Sequence, residues 1–296
     1  MTTDEIRITL GWLAHATGGR VVTGNPEQVI GQIATDTRRL QPGDFFVALR
    51  GSNFDGHTFV DEAFASGALG AMVDAGYDGI PPLGALVRVT DSMRGLQDVA
   101  HAVRILSKSR VIAITGSAGK TTTKEVIADF ASTNFRVVKN KGNLNNHIGL
   151  PISLLQLREK PDVAVVELGM NHAGEIRRLV EISQPDVRVW TNVGDAHLGF
   201  FSSLEEIARA KAEILEGAKP SSLLVCNADD SRVMQHIQNF PGKIVTFGTA
   251  KRATVRATDI EDRGLNGTRA RLVTPMGECN IQTPVSYTHL TLPTKA

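Results

Sequence analysis

Cysteine, tyrosine and tryptophan are scarce in this chain, at 2 residues each among 296. Cys226 and Cys279 are too few for a disulfide framework and follow no metal-binding spacing. They are expected to be buried small hydrophobes in a reducing compartment. An excess of one charge is lacking too: 32 basic side chains face 31 acidic ones, a formal net of +1. Such a balance leaves no electrostatic footprint for nucleic acid or an anionic membrane, so neither is expected as a partner. Nowhere do about 18 apolar residues run together, so no membrane insertion is expected. The opening stretch MTTDEIRITLGWLAHATGG carries acids and no unbroken apolar core, unlike a signal peptide. A cytoplasmic enzyme or binding protein is the default expectation.

What is present is apolar content of 42%, enough for two cores of ordinary domain size. Residues 1–82 read as a small α/β unit. In it Leu10 to Ala16 and Thr58 to Ser66 are expected helices, and Asp44 to Leu49 (DFFVAL) is an expected strand. Pro81-Pro82 marks the expected domain boundary. From about residue 96 the rhythm changes. A helix from Gly95 to Ser107 precedes the apolar strand Arg110 to Thr115, and a helix from Lys120 to Ser132 follows it. Short apolar runs at Val163 to Leu168, Val187 to Asn192, Leu223 to Asn227 and Ile244 to Phe247 then alternate with helical stretches. That pattern predicts an α/β fold with a mostly parallel sheet covered on both faces. Past residue 252 the reading is β-rich, with turns at Gly264 to Gly267 and Pro275 to Gly277. Residues 83–285 are taken as one central domain. Residues 286–296 (SYTHLTLPTKA) bear no relation to the preceding pattern and read as a non-native tail on a truncated frame.

The most specific local pattern is Thr115-Gly116-Ser117-Ala118-Gly119-Lys120-Thr121-Thr122, between a strand and a helix. Its glycines allow backbone N–H groups to turn inward around phosphate oxygens, and the helix adds its N-terminal partial charge. Lys120 can reach β- and γ-phosphates, and the Thr121 hydroxyl can ligate Mg²⁺. Two residues separate the glycines where the general phosphate-loop pattern has four. A plain glycine-rich turn with an extended lysine is the alternative.

Three polar residues stand out beyond the loop. Glu167 closes a buried strand, where a carboxylate requires a cation or a strong partner; Mg²⁺ and a structural salt bridge are both open. His197 follows the next strand at the same sheet edge and is a candidate ligand, although a lone histidine is more often packed or exposed. Ser203 and Glu206 form a capping box that starts a helix at about Leu204. On it Leu204, Ile207, Ala208, Lys211, Leu215 and Ala218 share one face. Lys211 thus lies on an apolar stripe, where burial leaves part of an amine neutral and able to add CO₂ as a carbamate. The alternative is a packed stem whose head escapes to water.

The ordered segments TDTRRLQPGDFFVALRGSNFDGHTF, TGSAGKTTTKE, KGNLNNHIGLP, VVELGMNHAGEI, TNVGDAHLGFFSSLEEIARAKAEIL and CNADD, from about residue 30 to 230, resemble the Mur ligase family. The resemblance implies an ATP-dependent, ADP-forming amide ligase of peptidoglycan precursor synthesis. The stretches TTTKE, NLNNHIGLP and ELGMNHAGEI resemble the member that joins D-alanyl-D-alanine to UDP-N-acetylmuramoyl-tripeptide. A ligase adding a different amino acid is one alternative; the other is that this fragment, expected to be inactive without its C-terminal domain, is a nucleotide-binding module without catalysis. By the resemblance residues 1–82 bind the UDP precursor, with Asp36, Thr37, Arg38 and the loop Arg50 to Asp55 around the UDP-sugar, and Asn143, Asn145 and Asn146 line the active-site cleft. A solvated turn and an ordinary Asn-rich turn are the plain readings of these two segments. The resemblance implies in addition that Gly116 to Thr122, with Lys120, hold ATP and that two Mg²⁺ ions sit on Thr121, Glu167, His197 and carbamylated Lys211. Phe201-Ser202-Ser203 departs from the family's Phe-Gly-Ser. The resemblance further implies a Rossmann-like third domain that does not follow Val285 here, and a monomer.

Overall fold

The computed structural model describes residues 5–51, 54–79, 84–196 and 199–283. Its contacts divide the chain into two compact units, Met1–Ser109 with Asn134–Ala164, and Arg110–Thr133 with Val165–Ala296. Pro81 and Pro82, the expected boundary, and the tail 286–296 lie outside the described residues.

The first unit opens with α1 (Leu10–Ala16), β1 (Arg20–Thr23), β2 (Ile33–Ala34), β3 (Phe45–Val47), α2 (Val60–Ala65), β4 (Gly70–Asp74), β5 (Ala85–Val89) and α3 (Ser92–Ser107). Its five strands lie in the order β1-β5-β4-β3-β2, parallel except for β1 against β5. Phe46, Ala48, Val60, Ala71, Val73 and Leu86 form one of its apolar cores. The helix expected over 58–66 is split. Asp55 accepts from the His57 amide and starts a 3₁₀ turn, Gly56–Phe59, ahead of α2. Asp91 caps α3 by accepting from the Arg94 amide, three residues earlier than the expected start at Gly95 allows.

The second unit begins with β6 (Arg110–Thr115) and α4 (Lys120–Ser132), both at the expected residues. The chain returns to the first unit for β7 (Val137–Lys139) and α5 (Gly149–Leu154). Then come β8 (Val163–Glu167), α6 (Glu175–Ser183), β9 (Val187–Trp190), α7 (Leu204–Ala212), β10 (Leu223–Asn227), α8 (Ser231–His236), β11 (Lys243–Gly248), β12 (Val255–Asp262), β13 (Thr268–Thr274) and β14 (Gly277–Thr283). The strands of this unit run in the order β14-β13-β12-β11-β10-β9-β6-β8. β6, β9, β10, β11 and β12 pair in parallel, and β13 and β14 are added antiparallel through the expected turns. Every residue of β8 is buried, in keeping with a strand covered on both faces. The chain is therefore mixed α/β with parallel sheets.

Two local expectations are corrected. Helix α7 stops at Ala212 and tightens into a 3₁₀ turn, Glu213–Leu215. The change of pitch turns Glu213 and Ile214 inward, so Leu215 and Ala218 are only half-buried. The cysteines do not share a fate either: Cys226 is buried on β10, where burial pushes its thiol up to about 11, while Cys279 is exposed on β14. No helix among the described residues is long and apolar enough to cross a membrane.

Candidate active site

The glycine loop joins β6 to α4 in the second unit. Gly116 has φ +152°, and a Cβ there would lie 1.9 Å from Thr191 Oγ1, so the position admits no larger residue without displacement. Gly119 sits at φ +77° as the N-cap of α4 and offers no side-chain cap, which leaves the first amides of the helix free for an acceptor from outside. The tip of the loop is held by the segment after β9. Asn192 Oδ1 accepts from the Ala118 amide at 2.9 Å, and Thr191 Oγ1 donates to the Ala118 carbonyl at 2.7 Å. Ser117 Oγ accepts from the Gly194 amide at 2.8 Å. Sequence reasoning missed Thr191 and Asn192 as the loop's scaffold. Their only signal was polarity at the end of a buried strand.

Gly116→Ala is expected to destabilise the protein by about 1–3 kcal/mol through overpacking and to open the loop. The Gly116→Ala/Thr191→Ala double variant should recover part of that loss, read by urea unfolding. Equal stabilities of Gly116→Ala and wild type would show that the contact is not tight.

The Lys120 ammonium folds over the loop, donating to the Gly116 carbonyl at 2.9 Å and the Ser117 carbonyl at 3.5 Å. Burial lowers its pKa, and the nearby Glu167 charge opposes that. One residue on, Thr121 Oγ1 donates to Glu167 Oε2 at 2.8 Å, joining the first turn of α4 to the end of β8. Glu167 is 3% exposed. Thr122 is exposed on the same turn. Lys211 is 1% exposed, so its head does not escape to water. Burial, then the Lys120 charge, holds its pKa at about 7 against an ordinary 10.5. Glu167, Lys120 and Lys211 are thus within electrostatic reach of one another in the order given. His197 lies outside the described residues.

The capping box takes a modified form. Ser203 Oγ accepts from the Glu206 amide at 3.2 Å, but Glu206 Oε2 reaches one residue further back than expected, to the amide and hydroxyl of Ser202 at 2.9 and 2.7 Å. Ser202 thereby adds a hydroxyl contact to the helix start.

The remaining expected residues belong to the first unit. Asp36 is engaged in a bidentate pair with Arg38, both contacts at 2.8 Å, which holds its carboxyl at about 2. Thr37 Oγ1 donates to Glu62 Oε1 at 2.7 Å. These three residues line a cavity of about 520 Å³ together with Phe54, from the expected loop Arg50 to Asp55, and with Phe59 and Glu62, which sequence reasoning did not select. Phe54 is 56% exposed. Asn146 Oδ1 accepts from the Ile148 and Gly149 amides at 3.1 and 2.8 Å and so starts α5, as the plain Asn-turn reading has it. Asn143 is exposed and Asn145 half-buried in the same turn.

Residues 114–290 match the Mur ligase middle domain, over more than half of the chain. The chain belongs to the Mur ligase family. Among curated relatives of this Mur ligase, the UDP-N-acetylmuramoyl-tripeptide–D-alanyl-D-alanine ligase of Bacillus subtilis is 38% identical over 86% of the chain and 55% of the relative. Its namesake in Escherichia coli is 36% identical over 96% of the chain and 62% of the relative. Two solved structures superpose well. MurF from Acinetobacter baumannii has a TM-score of 0.89 at 34% identity, over 97% of this chain and 62% of that one. MurF ligase from Thermotoga maritima, in complex with ADP, has a TM-score of 0.77 at 29% identity, over 86% and 58%. The chain spans just over half to three-fifths of the length of these relatives.

Proposed function

We propose that this chain is the nucleotide-holding portion of an ADP-forming amide ligase that joins D-alanyl-D-alanine to UDP-N-acetylmuramoyl-tripeptide in peptidoglycan precursor synthesis. The observation that carries the reading is the junction of Thr121 with Glu167 at 2.8 Å, directly beside the Lys120 ammonium and the glycine loop. Two oxygen donors at adjacent octahedral positions around Mg²⁺, each at 2.0–2.1 Å, lie about 2.9 Å apart. The spacing and the hard-oxygen chemistry of this pair suit that ion. Thr121 and Glu167 would hold one Mg²⁺, and Lys211, as its carbamate, with His197 a second. In forming the carbamate Lys211 Nζ bonds to the carbon of CO₂, one C–O π bond opens onto oxygen, and a proton leaves to water. Bound Mg²⁺ would supply counter-charge to the phosphoryl oxygens.

In the proposed reaction a substrate carboxylate oxygen attacks the γ-phosphorus of ATP and the bond to ADP breaks. The dipeptide amine then attacks the resulting acyl phosphate carbon, phosphate departs with the C–O electron pair, and the nitrogen gives up a proton that phosphate or water takes. Gly116 to Thr122 would orient the phosphates through backbone amides, and Lys120 would meet the charge on the transferring group. The reading extends to residues 1–82 as the UDP-precursor-binding domain, with Asp36, Thr37 and Arg38 at the cavity described above. Residues 83–285 would be the central, P-loop-type domain, Asn143, Asn145 and Asn146 would contribute to the cleft, and a Rossmann-like third domain would complete the ligase. A monomer in the cytoplasm is part of the same proposal.

The test is ADP release in the presence of ATP, Mg²⁺, UDP-N-acetylmuramoyl-tripeptide and D-alanyl-D-alanine. Release that depends on both acceptor substrates supports the ligase. Nucleotide binding with no turnover under the same conditions would leave a binding module, and another amino acid replacing the dipeptide would make it a different ligase of the family.

A further inference from the structure

Helix α6 begins without a cap of its own. Its N-cap residue is Gly174, at φ +88°, with no side chain to accept from the first amides. The acceptor comes from 39 residues away: Glu213 Oε1 accepts from the Gly174 amide at 2.7 Å. Glu213 Oε2 accepts from the Arg177 amide at 3.0 Å. Glu213 is 6% exposed, and both of its carboxyl oxygens are committed to this junction. It lies two residues beyond Lys211, and its own amide donates to the Lys211 carbonyl. The same 3₁₀ turn is grasped from β9, where buried Arg188 donates through Nε to the Ile214 carbonyl at 2.8 Å and through Nη2 to the Glu216 carbonyl at 3.3 Å. Two consecutive parts of the turn are thus fixed to the loop that follows Glu167 and to the strand that precedes the loop-holding Thr191 and Asn192.

We propose that Glu213 is a positioning residue, which fixes where the Lys211 side chain sits by tying the turn that ends its helix to the start of α6. A cap for α6 alone needs no partner on the helix that carries Lys211. Here the carboxylate ties the last turn of that helix, through one buried side chain, to the segment that leads out of Glu167. The inference rests on the reading of Lys211 as a carbamate-bearing residue. Partners of this kind, which hold a ligand-bearing residue without touching the ion, typically change metal-site affinity by about 10- to 100-fold when removed.

The experiment equilibrates the chain with [¹³C]bicarbonate in the presence of Mg²⁺ and ADP and records the carbamate carbon by NMR. Wild type is expected to show a resonance that Lys211→Met lacks. Glu213→Gln, which keeps the shape but leaves one amide unpaired, should reduce it to about one tenth or less, with circular dichroism unchanged. Glu213→Asp, folded even if the glutamine variant is not, should show an intermediate loss. Asp91→Ala removes a helix cap in the first unit and should leave the resonance intact. A full resonance in folded Glu213→Gln and Glu213→Asp would overturn the positioning role, as would equal loss in Asp91→Ala. Absence of the resonance in wild type, or its survival in Lys211→Met, would instead overturn the carbamate reading on which the role rests.

Discussion

Lys120→Ala is expected to lower substrate-dependent ADP release by about 10³-fold or more. The reason is positional as much as electrostatic. The ammonium is already held over the loop by the Gly116 and Ser117 carbonyls, so its charge would meet the phosphates without reorganisation. Burial lowers its pKa, and the charge of its neighbour Glu167 opposes that lowering. Removing the side chain leaves the loop's backbone amides in place, so binding of a non-hydrolysable ATP analogue should weaken less than turnover falls. Lys120→Arg should not restore activity, because a planar guanidinium does not fit where a point donor sits between two carbonyls. Turnover of Lys120→Ala within tenfold of wild type would remove the lysine from the chemistry.

Lys211→Met is expected to be more stable than wild type at pH 6, by up to about 5 kcal/mol, in CO₂-free buffer. The origin is the fall of the Lys211 pKa from 10.5 to about 7, caused first by burial and then by the Lys120 charge. Between those two values the unfolded chain holds a proton that the folded chain does not, so folding stability rises with pH across the window. Below about 7 both states are protonated and the penalty of the buried charge is complete. As pH climbs towards 10.5 the penalty disappears, and the stabilities of wild type and variant should converge. Urea unfolding of both proteins from pH 6 to pH 9.5 reads the convergence, with a slope near ~1.4 kcal/mol per pH unit at most. Parallel curves would mean that Lys211 is solvated in a way its 1% exposure does not suggest. The same comparison under CO₂ should differ, since a carbamate turns the cation into an anion.

Much of the second unit up to β11 was legible as sequence because its strands are short, mostly apolar and separated by helical stretches. The strand Arg110–Thr115 and helix Lys120–Ser132 needed no tertiary information, since the apolar run, the paired glycines and the following helix formers agree with one another. Lys211 was legible for a similar reason: helical periodicity alone put it on a buried face. The same periodicity failed two residues later, where α7 tightens and Glu213 turns inward. A carboxylate that is a surface residue by composition is then spent on another helix.

The amino-acid sequence by itself determined the strand Arg110–Thr115, the glycine turn, the helix Lys120–Ser132 and the place of a lysine on an apolar stripe, because each depends on residues within one or two turns of each other. Only the tertiary structure decided which polar groups meet. Thr121 finds Glu167 across 46 positions, Ala118 finds Asn192 across 74, and Gly174 finds Glu213 across 39. No local pattern encodes such pairings. They follow from strand order, which brings distant strand ends to one edge, and from the cost of burying a polar group without a partner.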